Sequence, residues 1–206
     1  KFCKINIPDN ILTRKIFNIP SNSAKKQEFV IPVKSGEVSG TLFLPNKEAE
    51  SKVQPTPAII YFHGGGWFLS TIAMHTRLCE KFSVLLGLPI LSVEYRLAPK
   101  HKFPTAAEDA YDSLTWLHTH ADEFKINRSA IYVMGSSAGG NLAAVVSLMA
   151  RDRKGPEIRG QILNYPVTSS AMDTESYTLF KEGPILTKKD MEFFINTYSR
   201  KEGDSK

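Results

Sequence analysis

Apolar and polar positions along the chain follow two rhythms that succeed each other. EFVIPV (28–33) and VSGTLFL (38–44) are rich in β-forming residues, and the short stretch between them holds Ser35, Gly36 and Glu37, which predicts a hairpin. Residues 45–57 are polar and proline-rich and read as an exposed loop. AIIYF (58–62) is a continuous apolar run, the pattern of a strand buried on both faces. PILSVEY (89–95), SAIYVMG (129–135) and GQILNYP (160–166) are further strands. Between them the apolar period lengthens to that of a helix: Ile72, Leu78, Phe82 and Leu85 within 71–86, ended near Gly87; Ala106, Ala110, Leu114 and Leu117 within 105–120; an apolar run over 138–151; and Met191, Phe194 and Ile195 within 188–198. A short helix is expected around 10–17. Strands that alternate with helices of this length imply an α/β fold whose sheet is mostly parallel, with the opening hairpin as an antiparallel edge.

The chain has 206 residues, 42% of them hydrophobic, which is enough for one core, and residues 1–206 are read as a single domain. The net charge is +5, but no basic run or aromatic-basic repeat is present, so nucleic acid is not an expected partner. No apolar run reaches the ~18 residues of a membrane span. Cys3 and Cys79 lie far apart without metal-ligand spacing, so neither a disulfide framework nor a metal is expected, and a reducing, cytoplasmic setting is the simpler reading. The opening KFCKINIPDN lacks the apolar core of a signal peptide, and its start on Lys1 reads as a processed, trimmed or partly observed chain. The sequon at Asn127 is too short a pattern to carry weight.

Residues 133–141, VMGSSAGGN, place Ser137 between Gly135 and Gly139 in the frame G-x-S-x-G, at a strand-to-helix junction. A sharp turn there lifts the hydroxyl above the sheet while the helix N-terminus points amide hydrogens at the same spot. In isolation the pattern reads more readily as a helix N-cap serine with glycines for backbone freedom. It is not isolated. HGGG (63–66) follows the strand AIIYF, and three glycines let backbone N–H groups approach a ligand. Acyl transfer needs donors aimed at the oxyanion of its transition state, and Gly65, Gly66 and Ala138 are the natural candidates. A phosphate cradle is the poorer reading, because neither G-K-[ST] nor G-x-G-x-x-G accompanies the loop.

HGGGW (63–67), EYRLAPKHKFPTAAEDAY (94–111), GSSAGGNLAA (135–144), QILNYPV (161–167) and PILTKKDMEFFINTY (184–198) resemble the hormone-sensitive-lipase-type branch of the α/β-hydrolases over about 28–200. The resemblance implies the α/β-hydrolase fold with a partial helical cap and the final strands missing. It also implies hydrolysis of small-molecule carboxylic esters through an acyl-enzyme, without a cofactor. It carries over Ser137 as nucleophile and Gly65, Gly66 and Ala138 as the oxyanion hole. His63, Gly64, Gly135 and Gly139 shape the motif, and Trp67 either walls the acyl or alcohol pocket or simply packs. Residues 1–25 and 184–200 correspond to cap elements. Two departures are small: Ser136 stands where the family often has Asp, at the expected cost of a local hydrogen bond, and Lys100 stands where it usually has Glu.

The larger departure is an absence. α/β-Hydrolase triads run serine, acid, histidine along the chain, yet no histidine follows Ser137. Asp152, Asp173, Asp190 and Asp204 follow it, none in the family's acid context. The expectation is therefore about two thirds of a hydrolase, the rest being unobserved, on a separate chain or deleted, with that further segment, on the same or a separate chain, needed to complete sheet and triad. GQILNYP would otherwise leave an apolar sheet edge open. Of the histidines upstream, His118 and His120 face different sides of a helix and are expected at the surface, His75 in a solvated position, and His101 in a structural one. Met134 and Trp116 read as core. Glu108 and Asp109, near a helix start, are expected to favour its dipole. Two other functions remain open: a small-molecule receptor that has lost the base, and a peptidase or amidase on the same scaffold.

Overall fold

The computed structural model describes residues 24–46, 55–183 and 185–200. Its strands are β1 (Ala24–Val33), β2 (Gly36–Pro45), β3 (Thr56–Phe62), β4 (Ile90–Glu94), β5 (Ile126–Ser136) and β6 (Gly160–Asn164), and its helices α1 (Ile72–Leu86), α2 (Thr105–Thr119), α3 (Ala138–Asp152), α4 (Glu175–Leu179) and α5 (Lys188–Tyr198). They build one six-stranded sheet in the order β1-β2-β4-β3-β5-β6. β1, β2 and β4 pair antiparallel, and β4, β3, β5 and β6 run parallel. The expected short helix around 10–17, Cys3 and Asp204 lie outside the described residues, as does nearly all of the N-terminal stretch expected to form part of a cap.

Successive side chains on a strand point to opposite faces, and β3 shows the consequence. Ile60 and Phe62 join the larger core layer under α2 and α3, with Leu114, Leu117, Leu142 and Val146. Ile59 and Tyr61 join the smaller layer on the other face, with Phe43, Ile90, Met134 and Cys79 of α1. Both faces of the central strands are therefore buried, which is why they read as unbroken apolar runs. At the far side of the sheet, β6 pairs with β5 only, and Ile162 keeps 43% of its surface exposed. Among the described residues no strand lies on the outer edge of β6.

The helices are tied down by specific polar contacts. Thr71 caps α1 without a side-chain bond, and the Glu94 carboxylate instead accepts from the Ile72 N–H at 2.6 Å. Gly87, at φ 67°, ends that helix in a left-handed turn, and the Ser83 hydroxyl bonds the carbonyls of Phe43 and Leu88. α5 opens with a capping box between Thr187 and Asp190.

Some expectations change. β5 begins at Ile126 because Thr56 pairs with it across a bulge, so the polar Asn127 and Arg128 do not mark the strand start. β6 stops at Asn164, the 3-10 turn Ala121–Phe124 was not expected, and neither was α4, whose five residues are too short to show a period. Glu108 and Asp109 do more than favour a dipole. Glu108 pairs with Arg153 at 2.7 Å, and Asp109, fully buried, takes a two-pronged contact from Arg96 (Nε 2.9 Å, Nη2 2.5 Å) and its backbone N–H. Arg96 also reaches the carbonyl and hydroxyl of Ser35, so one guanidinium joins the hairpin turn, β4 and α2. Trp116 is only half-buried, stacked among Phe29, Phe124 and His120, while Met134 is core as expected.

Removing one partner of a buried ion pair leaves the other without compensation, at a cost of roughly 3–5 kcal/mol. Asp109→Ala is expected to lower the unfolding free energy by about that amount, read from the shift of the urea midpoint against the parent protein.

Candidate functional site

The chain leaves β5 and enters α3 through a single residue. Ser137 sits at φ 54° and ψ −118°, a conformation that side-chain-bearing residues rarely adopt and that costs on the order of 1–3 kcal/mol. The bend is held from several sides. The Ser137 N–H donates to the Asn164 carbonyl at the end of β6, and the Ser137 carbonyl accepts from the N–H groups of Asn141 and Val167. The flanking glycines are required by packing. A Cβ on Gly135 would lie 2.0 Å from the Gly139 carbonyl oxygen, and one on Gly139 would lie 2.0 Å from that of Phe62. The first turn of α3 is thus pressed against the ends of β5 and β3, closer than any side chain permits.

The glycine loop after β3 meets this bend at Gly64. A Cβ on Gly64 would be 3.0 Å from the Ser136 carbonyl oxygen and 3.5 Å from Ser137 Cβ. Gly65 takes φ 120°, and a side chain there would strike the Leu69 carbonyl at 2.2 Å. Gly66 takes φ 62°, with the Phe194 ring of α5 where its Cβ would be. Ala138 is the first residue of α3, so its N–H has no partner within the helix. Among the described residues the amides of Gly65 and Gly66 likewise donate to no protein acceptor.

His63 is fully buried. Its Nδ1 bonds the Gly64 carbonyl at 2.8 Å, its ring stacks on Tyr95 at 4.3 Å, and the Tyr95 hydroxyl donates to the His63 carbonyl. It braces the loop and makes no bond to Ser137. Burial holds its pKa below the ordinary value, opposed by the bond to Gly64. His75, expected in a solvated position, is half-buried instead. Its Nδ1 bonds the Tyr61 hydroxyl at 3.0 Å, and its Nε2 bonds Ser70 Oγ at 3.1 Å. Its pKa is lowered by burial first and by His63 next, against the opposing pull of Glu94. His120 is also no free surface group, since it stacks on Trp116 at 4.6 Å and bonds that residue's carbonyl. His101 donates its backbone N–H to the Leu97 carbonyl, and His118 is half-exposed. None of the five histidines bonds Ser137 among the described residues. Asp152 pairs with Arg151 and Asp190 serves the cap of α5, so both carboxylates are engaged by other partners.

Ser137 opens onto a cavity of about 540 Å³ walled by Tyr165, Val167, Tyr177, Phe180, Leu186 and Met191, with Thr168, Ser169 and Lys188 at its polar margin. Trp67 is not among its walls. It stacks flat on Tyr198 of α5 at 4.5 Å and lines a neighbouring cavity of about 430 Å³ with Phe103, Asn141, Val145 and Ile195. The two cavities share Val167, Thr168 and Ser169. Residues 168–172 carry neither period nor motif. Asn164, which closes the bend, and Tyr165, with a positive φ of 40° beside the cavity, fall in the block QILNYPV and at the expected end of a strand, with no role of their own assigned by either.

The alpha/beta hydrolase fold family matches residues 59–206. The carboxylic ester hydrolase LipN of Mycobacterium tuberculosis is 40% identical over 175 residues, covering 82% of this chain and 45% of LipN. A putative alpha/beta hydrolase of Acanthamoeba polyphaga mimivirus is 35% identical and covers 82% of this chain and 48% of its own. Among solved structures, a hyperthermophilic esterase from the archaeon Pyrobaculum calidifontis superposes with a TM-score of 0.82 at 35% identity, over 95% of this chain and 61% of the esterase. The chain spans about half the length of the curated relatives it matches.

The two depressed histidines set a pH dependence. Unfolded histidine binds a proton near pH 6.5, whereas buried His63 and His75 resist it, so the unfolded state takes up more protons as pH falls below that point. Their stabilising contribution is complete above pH 6.5 and declines toward the folded-state pKa values. Ring-proton NMR titration is expected to give both midpoints below the ~6.5 of an unperturbed histidine, and thermal stability is expected to begin falling as pH drops below about 6.5.

Proposed function

The chain belongs to the alpha/beta hydrolase fold family, and on that footing we propose that it is the nucleophile-bearing part of a serine carboxylesterase acting on small-to-medium acyl esters. The observation that supports this most is the meeting of two sequence-distant segments: Ser137 on its strained bend, with Gly64, the first glycine of the 64–66 triplet, packed against it. Ser137 Oγ attacks the ester carbonyl carbon as its proton passes to a base. The carbonyl oxygen becomes an oxyanion facing the N–H groups of Gly65, Gly66 and Ala138. Collapse expels the alcohol, which takes the proton from the base, and leaves an acyl-enzyme. Water then attacks the same carbon, giving up a proton to the base; the base returns that proton to Ser137 Oγ as the acyl–oxygen bond breaks, and the carboxylic acid leaves and ionises in solvent. Each oxyanion donor contributes about 3–4 kcal/mol to the barrier reduction. The donors are backbone groups held by a braced loop, so little reorganisation accompanies the charge that develops.

The apolar walls of the 540 Å³ cavity suit an acyl chain of modest length, and its hydroxyl margin suits the ester group. The base and its carboxylate are assigned to sequence outside these 206 residues, because no histidine among the described residues bonds the serine. Residues 1–206 are read as one domain, with 1–25 and 184–200 as cap elements. Buried, unpaired Cys79 suits a cytoplasmic setting. The missing base is also the observation that favours a second reading, a small-molecule receptor that keeps the pocket without the chemistry.

A fluorophosphonate probe separates the two. The full-length protein is expected to be labelled at Ser137, with labelling and p-nitrophenyl ester hydrolysis both lost in Ser137→Ala. An intact pocket that binds esters but takes no label supports the receptor.

A further inference from the structure

On the face of the sheet opposite α3, a chain of polar side chains runs beneath the bend. Asn164 Nδ2 lies 3.4 Å from Ser136 Oγ, which lies 3.4 Å from the Tyr61 hydroxyl. That hydroxyl lies 3.0 Å from His75 Nδ1, and His75 Nε2 lies 3.1 Å from Ser70 Oγ. One direction satisfies every member. An amide nitrogen can only donate, so Asn164 gives a hydrogen to Ser136. At the other end the Ser70 hydroxyl donates to Met74 Sδ at 3.7 Å, leaving Ser70 Oγ to accept from His75 Nε2–H. His75 is then the neutral tautomer with Nδ1 as acceptor, Tyr61 donates to it, and Ser136 donates to Tyr61. Every member is satisfied in that single direction. Tyr61 and Ser136 are buried, so neither has water as a substitute partner.

We propose that Tyr61 is a positioning residue for Ser137: its hydroxyl, held between His75 and Ser136, fixes the Ser136 side chain and with it the peptide that carries the bend. The inference rests on the nucleophile reading above. The other bonds at the bend are made by backbone groups of Ser137, Asn164, Asn141 and Val167. The Ser136 side chain links the residue before the nucleophile to strand β3, the strand from which the glycine loop emerges. Tyr61 therefore couples the two halves of the site through side chains as well as through packing. The position before Ser137, expected to have lost a hydrogen bond by carrying serine in place of aspartate, has bonds to Tyr61 and Asn164 instead.

The test uses the full-length protein with Tyr61→Phe, Ser136→Ala, the double variant and His75→Asn, whose side-chain amide oxygen can stand in for Nδ1 as acceptor. Tyr61→Phe is expected to lower both kcat and the fluorophosphonate labelling rate roughly 10-fold, with KM changed less than 2-fold. The double variant is expected to be no worse than either single one, because both cut the same link. His75→Asn is expected to retain most of the activity that Tyr61→Phe loses. A purely structural Tyr61 would instead lower melting temperature while leaving the labelling rate of the folded fraction unchanged, and that result overturns the proposal. So do additive effects in the double variant, or a Tyr61→Phe protein with parental kcat. Failure of the parent protein itself to label at Ser137 overturns the nucleophile reading and this inference with it. A labelled parent with an unaffected Tyr61→Phe removes this inference alone.

Discussion

A serine with φ 54° between two glycines that have no room for a Cβ is a bend that cannot relax. The carbonyls of Gly139 and Phe62 stand where side chains of Gly135 and Gly139 would be, so the first turn of α3 is locked against β5 and β3. Lifting the serine clear of the sheet forces the amide of Ala138 into the open. Above the bend, Gly64 packs where a Cβ would lie 3.0 Å from the Ser136 carbonyl oxygen. The cavity, the unpaired amides and the buried polar chain beneath are arranged around that one backbone conformation. Strain of this kind persists where the surroundings over-determine it, and here three backbone hydrogen bonds and two side-chain bonds converge on two residues.

The same constraint explains why the site is built from distant pieces of sequence. β3 and β5 are neighbours in the sheet although more than sixty residues separate them, and the parallel register sets Phe62 beside Gly135. The loops that leave these two strands at the same end therefore meet. Position at the carboxyl ends of parallel strands makes a glycine triplet and a serine into one site. The rest of the fold serves that register. Arg96 joins the hairpin, β4 and α2, Glu94 caps α1, and α5 closes over Gly66 and Trp67 through Phe194 and Tyr198.

Much of this was legible in the residues. AIIYF, EFVIPV and the apolar face of α3 announce their structures through period alone, because burial on one or both faces dictates where apolar residues fall. HGGG and G-x-S-x-G were legible because their glycines answer to local crowding. What escaped notice has no such local signature. The tyrosine at 61 reads as one more apolar residue of a buried strand, and only the fold shows its hydroxyl between His75 and Ser136. His75 reads as a solvated helix residue because its partners lie on β3 and in the preceding loop. Asp109 reads as a dipole residue because Arg96 approaches it from another element. Tyr165 lies in the block QILNYPV, but nothing local announces its positive φ, and residues 168–172 beside the cavity carry neither repeat nor motif.

A crystal structure of the full-length protein inactivated by a phosphonate ester shows whether the 64–66 backbone and the α3 N-terminus converge on the charge that would develop above Ser137. A covalent bond from Ser137 Oγ to phosphorus is expected, with the phosphoryl oxygen within hydrogen-bond reach of the Gly65, Gly66 and Ala138 amides. An adduct whose phosphoryl oxygen points to solvent, away from those three amides, rules that convergence out.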